Sequence, residues 1–204
     1  MRYQRACFAL VELMAVVLFV VQLADAESIV MHSPNGQLVV NLDLQQEQPH
    51  WSLEFKGAPL LRPGRLGVVV ANGPLGGLQT RSTDISEHDE TVATVWGKFA
   101  QYDNRFNQLT WSLQQIDAPG RVVRIVLRAY DSGVALRYEF PVEGGWDEPI
   151  HLTGEDTEWR FADNSIGWCY NRERDPIGPQ PLKEFHAQKG ADLPMTVWWK
   201  PDRY

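Results

Sequence analysis

From residue 28 onward, apolar and polar side chains alternate with period two in short runs, and turn residues separate the runs about every eight to twelve positions. The stretch "SIVMHSPNGQLVVNLDL" predicts two strands about Pro34, Asn35 and Gly36, where Asn-Gly supplies the positive φ of a tight hairpin. In "HWSLEFKGAPLL" the residues Trp51, Leu53 and Phe55 share one face and Ser52, Glu54 and Lys56 the other. Further strands are expected in "RLGVVVAN", "TVATVWGKFAQYDN", "FNQLTWSLQQI", "RVVRIVLRAY", "GVALRYEFP" and "IHLTGEDTEWRF". The run "RAYDSGVALRYEF" folds about Asp-Ser-Gly, with Val134, Leu136, Tyr138 and Phe140 on the apolar side and Arg128, Arg137 and Glu139 opposite. No run keeps a helical period with caps. Strands of this kind bury an apolar face only by stacking, so the pattern predicts an all-β fold of two packed sheets.

Two stretches interrupt the pattern. Residues 167–185, "GWCYNRERDPIGPQPLKEF", carry prolines at 176, 179 and 181, which argue against helix and central strand and predict a long irregular loop. Long loops in compact domains tend to carry function, so this segment is the first place to look. The end of the chain, "LPMTVWWKPDRY", reads as a strand over residues 195–199, a turn, and the start of a returning strand at Tyr204. The expectation is a sandwich incomplete at its C-terminus, belonging to a longer protein. Each of the eight tryptophans is read as a core anchor or a sugar-stacking platform, and Trp168, Trp198 and Trp199 are the better platform candidates.

Residues 1–26 stand apart. Arg2 and Arg5 precede an apolar run over residues 6–23, and Ala24-Asp25-Ala26 forms a small-x-small site, together the plan of a secretory signal peptide. Glu12 interrupts the run and argues against a retained anchor, so the mature domain, residues 27–204, is expected to be exported and free of the membrane. Cys7 leaves with the signal and Cys169 stays alone between Trp168 and Tyr170, where it reads as a small buried hydrophobe. A formal charge of −7 without any run of Lys and Arg argues against a nucleic-acid partner and leaves neutral or cationic ligands open.

Nucleophile elbows, zinc-protease motifs, paired C-x-x-C and phosphate-binding glycine loops are all missing from the sequence, and His32, His50, His88, His151 and His186 lie without ligand spacing. Carboxylates remain. Alternation in "TGEDTEWRF" puts Glu155, Thr157 and Trp159 on one face and Asp156, Glu158 and Arg160 on the other. The run "NRERD" sets Glu173 and Asp175 among Arg172 and Arg174, either as a solvated charge cluster or, at Glu173, as an oxygen ligand for a hard cation such as calcium.

The segments "SPNGQLVVNLDL", "WSLEFKGAPLLRPGRLGV", "TVWGKFAQYDNRFNQLTWSL", "RIVLRAYDSGVALRYEFP" and "LTGEDTEWRFADNSIGWCY" occur in the order and near the spacing of the N-terminal domain of glycoside hydrolase family 97. The resemblance covers residues 29–204. It implies a mutarotase-like β-supersandwich that precedes a (β/α)₈ barrel carrying the catalytic carboxylates in exported α-glucosidases and α-galactosidases. It further implies a calcium ion at the domain junction, to which Glu173 matches by position. Under this resemblance the chain lacks the barrel, so it assigns no catalytic residue here, and the domain completes a calcium and substrate site rather than acting as an enzyme alone. The alternative is a freestanding carbohydrate-binding sandwich without hydrolase activity.

Overall fold

The computed structural model describes residues 28–71, 73–146, 149–161, 165–171, 175–185 and 192–198. The strands in chain order are β1 (Ile29–His32), β2 (Leu38–Gln45), β3 (Gln48–Phe55), β4 (Ala58–Arg65), β5 (Val68–Val70), β6 (Gly73–Pro74), β7 (Leu78–Ala93) and β8 (Gln101–Gln115). They continue as β9 (Val122–Tyr130), β10 (Gly133–Glu139), β11 (Leu152–Glu155), β12 (Arg160–Phe161), β13 (Ile166–Asn171), β14 (Asp175–Pro181) and β15 (Asp192–Trp198). Single 3₁₀ turns at Val142–Gly144 and Leu182–Glu184 are the only helical elements among the described residues. The all-β reading therefore holds.

Two antiparallel sheets make the sandwich, in the orders β1-β2-β3-β4-β12 and β10-β9-β8-β7. Period-two alternation decides which residues lie between them: Leu38, Val40 and Leu42 of β2, Trp51 and Leu53 of β3, Leu109, Trp111 and Leu113 of β8, and Val123, Ile125 and Leu127 of β9 are all buried in one core. Trp111 satisfies its indole N–H on Thr80 Oγ1 at 3.1 Å, so a polar atom enters the core with its partner. The expected β9–β10 hairpin is present, with Val134, Leu136, Tyr138 and Phe140 packed against the core. Its charged face is knit locally: Arg137 pairs with Glu139 at 2.5 Å, and Arg128 lies 4.4 Å over the Phe106 ring. The β1–β2 turn uses Gly36 at φ 71°, and the Asn35 amide donates to Asp131 Oδ1 at 2.8 Å, tying this turn to that of the second hairpin.

Three expectations need correction. The single strand predicted over "TVATVWGKFAQYDN" is two strands and a turn: β7 and β8 run antiparallel from Leu78↔Gln115 to Ala93↔Gln101, with residues 94–100 as the connection. Most of β7 shows no alternation in the sequence because it is the edge of its sheet, and both its faces are wet over residues 81–85. N-terminal to Asn107 the strand β8 has no β9 partner, since that pairing runs only from Asn107↔Ala129 to Gln114↔Val122, so residues 89–105 extend past β9 as a two-stranded ribbon.

The proline-rich stretch is not an irregular loop. Residues 166–171 and 175–181 form the β13–β14 pair, and Pro176, Pro179 and Pro181 all lie on β14, an edge of the sheet ordered β14-β13-β15. An edge strand leaves half of its N–H groups without a ladder partner, so missing donors cost little there. The bulge between Gly167 and Cys169 absorbs the one residue out of step.

The segment "IHLTGEDTEWRF" is likewise two strands rather than one. β11 pairs with β5 and β12 with β4, in different sheets, while Asp156 and Glu158 amides donate to the Gly67 and Arg65 carbonyls at 2.8 Å each. The chain thus runs antiparallel along the whole β4–β5 connection and crosses from one sheet to the next. Gly64 makes this approach feasible, since a Cβ there would sit 2.9 Å from the Glu158 carbonyl oxygen.

Candidate functional site

On β13 alternate residues face opposite ways. Gly167 and Cys169 are buried, and a Cβ at Gly167 would meet Leu182 Cδ2 at 2.5 Å and the Phe185 ring at 3.1 Å, so a side chain there would displace these two. Trp168 and Tyr170 fall on the other face, 36% and 55% exposed. The register pairs Ile166 with Trp198 and Trp168 with Thr196, and directly paired residues share a face, so Trp198 of β15, 49% exposed, joins them. The result is an aromatic surface of Trp168, Tyr170 and Trp198 backed by a packed layer of Leu182 and Phe185. Flat, exposed rings on a firm support are what the apolar faces of sugar rings stack upon.

Beside the sheet crossing lies the acidic segment. Arg65 extends its guanidinium to Asp156 at 3.3 Å and to Glu158 at 3.2 Å, and its own amide donates to Glu158 Oε2 at 3.0 Å. That amide bond first, then the guanidinium, holds the Glu158 carboxyl below its ordinary pKa. Thr157 points the opposite way, its hydroxyl 2.6 Å from the Tyr138 hydroxyl, and burial pushes the Tyr138 phenol up to about 12. Trp159 packs edge-on against buried Trp51 with ring centroids 4.8 Å apart, and the Trp51 indole N–H donates to the Glu158 carbonyl at 3.0 Å. A general acid needs a raised carboxyl pKa, whereas that of Glu158 is lowered, and Arg65 pairs with both Glu158 and Asp156. Asp156 and Glu158 therefore pin the crossing segment in place.

Of the residues singled out from sequence, Trp168 lies on the aromatic face, and Glu173 falls outside the described residues, as do Trp199 and the whole signal segment 1–26. Cys169 is buried, as expected. Tyr170 escaped the sequence reading, although the i, i+2 spacing of "WCY" places it beside Trp168 once the segment is treated as a strand. Trp51 and Trp111 are core anchors, while Trp96, Trp159 and Trp198 are about half exposed or more.

The sequence profile described as glycosyl-hydrolase 97 N-terminal matches residues 31–203. The chain belongs to glycoside hydrolase family 97. Solved structures agree on the fold of this family 97 domain: a family 97 enzyme from Pseudoalteromonas sp., in complex with panose and again with acarbose, superposes with TM-score 0.64 at 22% identity over 70% of this chain. A β-arabinopyranosidase crystal structure superposes with TM-score 0.62 at 23% identity over 69% of the chain. In each case the matched region is 22% of the solved chain, so this family 97 domain spans about a fifth of their length. Among the described residues no helix is long and apolar enough to cross a membrane.

Proposed function

We propose that this chain serves as the N-terminal domain of an exported α-glycosidase, acting on α-linked glucosides or galactosides, and that it completes a carbohydrate site whose reacting carboxylates belong to a catalytic (β/α)₈ barrel. The observation that carries the reading is the aromatic face of Trp168, Tyr170 and Trp198 on a domain whose family match runs over residues 31–203. The panose and acarbose complexes of the Pseudoalteromonas enzyme support an oligosaccharide as the ligand class. In this reading residues 1–26 direct export to the periplasm or the medium and are removed.

Calcium enters as part of the same proposal. Among the described residues no group of three or more His, Cys, Asp or Glu side chains converges. A calcium ion takes about six to eight oxygens, so in this reading Glu173 contributes to a site that the catalytic domain completes. The domain's own work is to position: the Arg65 clamp fixes the strand crossing, and Leu182 and Phe185 pack beneath Gly167 on the strand that carries Trp168 and Tyr170.

Reading the gene beyond codon 204 tests the proposal. A barrel-coding continuation is expected, and its absence in every frame would overturn the reading in favour of a freestanding carbohydrate-binding module.

A further inference from the structure

The β7–β8 ribbon carries an apolar end that no described residue covers. Val95, Trp96, Phe99 and Tyr102 are 99%, 89%, 72% and 49% exposed. The end is nevertheless shaped: the Thr94 amide donates to the Ala100 carbonyl at 3.0 Å, the Thr94 hydroxyl donates to the Phe99 carbonyl, and Gly97 takes φ 129° to close the turn. Cross-strand pairing sets what lies below it on one face. Val92 pairs with Tyr102, Glu90 with Asn104 and His88 with Phe106. Asn104 Nδ2 donates to Glu90 Oε1 at 2.7 Å, and the His88 ring stacks on Phe106 with centroids 4.6 Å apart. From Tyr102 this face steps to the Glu90–Asn104 pair and then to the His88 ring, which covers the buried Phe106, at about 7 Å per step.

We propose that this ribbon face is a second carbohydrate-binding site, separate from the Trp168 surface, which takes a linear neutral oligosaccharide. Trp96, Phe99 and Tyr102 stack on sugar rings, and Glu90 and Asn104 offer acceptor and donor to the hydroxyls between them. The ligand class rests on the family reading given above. Charge selects against the other occupants of an apolar tip. Asp84, Glu87, Asp89 and Glu90 line β7, so edge-to-edge pairing with a second copy sets like charges against one another, and nucleic acid is repelled by the same acids. A neutral polyol meets neither penalty.

The test is an NMR titration of the intact chain with maltoheptaose, following the tryptophan indole N–H resonances of Trp96 and Trp168, each assigned by substitution to Phe. The expected result is a saturable shift of the Trp96 resonance with millimolar affinity, weakened at least tenfold in Tyr102→Ala, whose melting temperature stays that of the parent chain because Tyr102 is half exposed. A Trp96 resonance unmoved by sugar overturns the proposal and leaves the family reading standing. A Trp96 resonance that moves with protein concentration instead shows a second copy on the tip, which also overturns it. The Trp168 resonance judges the other claim: saturation there in the isolated chain counts against a site completed by a barrel, whatever Trp96 does.

Discussion

Arg65 holds Glu158 twice, through its backbone amide to Oε2 at 3.0 Å and through its guanidinium to Oε1 at 3.2 Å. Because the two residues lie 93 positions apart in the chain, the pair fastens the crossing segment to the end of β4. Both side chains are over a third exposed, so the ion pair itself contributes little, and the amide bond carries most of the effect.

The pH dependence follows from the depressed carboxyl of Glu158. A lowered pKa in the folded state gives stability that is complete above the ordinary carboxylate pKa of 4.5 and is lost as pH falls through the folded value. Glu158→Gln is expected to cost about 0.5–1 kcal/mol at neutral pH and less in acid. Urea denaturation of both forms at neutral and acidic pH checks this, and an equal gap at both would contradict it.

Tyr138 predicts the alkaline side. Its phenol ionises near 10 when unfolded and is pushed to about 12 by burial, so between those values the unfolded chain binds fewer protons and stability falls as pH rises. The loss reaches about 2 kcal/mol at the upper end of the window. Tyr138→Phe gives up the bond to Thr157 at neutral pH but removes the alkaline slope over that window, which thermal melts across the range will show.

Two tryptophans on neighbouring parts of one hairpin should behave oppositely. Trp111 is fully buried with its indole N–H bonded to Thr80, so Trp111→Ala should cost about 3–5 kcal/mol, enough to threaten folding. Trp96 is 89% exposed, and Trp96→Ala should stay within about 0.5 kcal/mol of the parent chain. Equilibrium unfolding of the two variants separates a core anchor from a displayed ring.

Gly64→Ala probes the strand crossing. The new methyl would sit 2.9 Å from the Glu158 carbonyl oxygen and 3.0 Å from the Glu158 Cβ, both parts of a tightly held segment. A loss of about 1–3 kcal/mol is expected, together with faster amide exchange at Asp156 and Glu158.

Strands β2 and β3 were legible in the sequence because each has one buried and one more exposed face, and the period of two records that difference directly, whereas β9 was legible as an apolar run with buried residues on both faces. β7 was not, because an edge strand wet on both faces leaves no alternation to find. β14 hid behind Pro176, Pro179 and Pro181, which exclude a central strand but not an edge. That misreading had a cost at the site: Trp168 drew notice for its place in a proline-rich segment, whereas its partner Tyr170 becomes visible only when the segment is given the period of a strand. The split of "IHLTGEDTEWRF" between two sheets depends on Gly64 and Arg65, nearly a hundred residues away, and no local pattern encodes it. Glu173 lies outside the described residues, so its place as a metal ligand rests on the family resemblance.

The central claim is that this domain shapes a carbohydrate site without performing the chemistry. The most direct measurement is hydrolysis of an aryl α-glucoside by the purified chain with calcium present. The account predicts no turnover above the uncatalysed rate. Turnover that disappears in Asp156→Asn or Glu158→Gln would contradict it, because the carboxylates held by Arg65 would then be reacting groups.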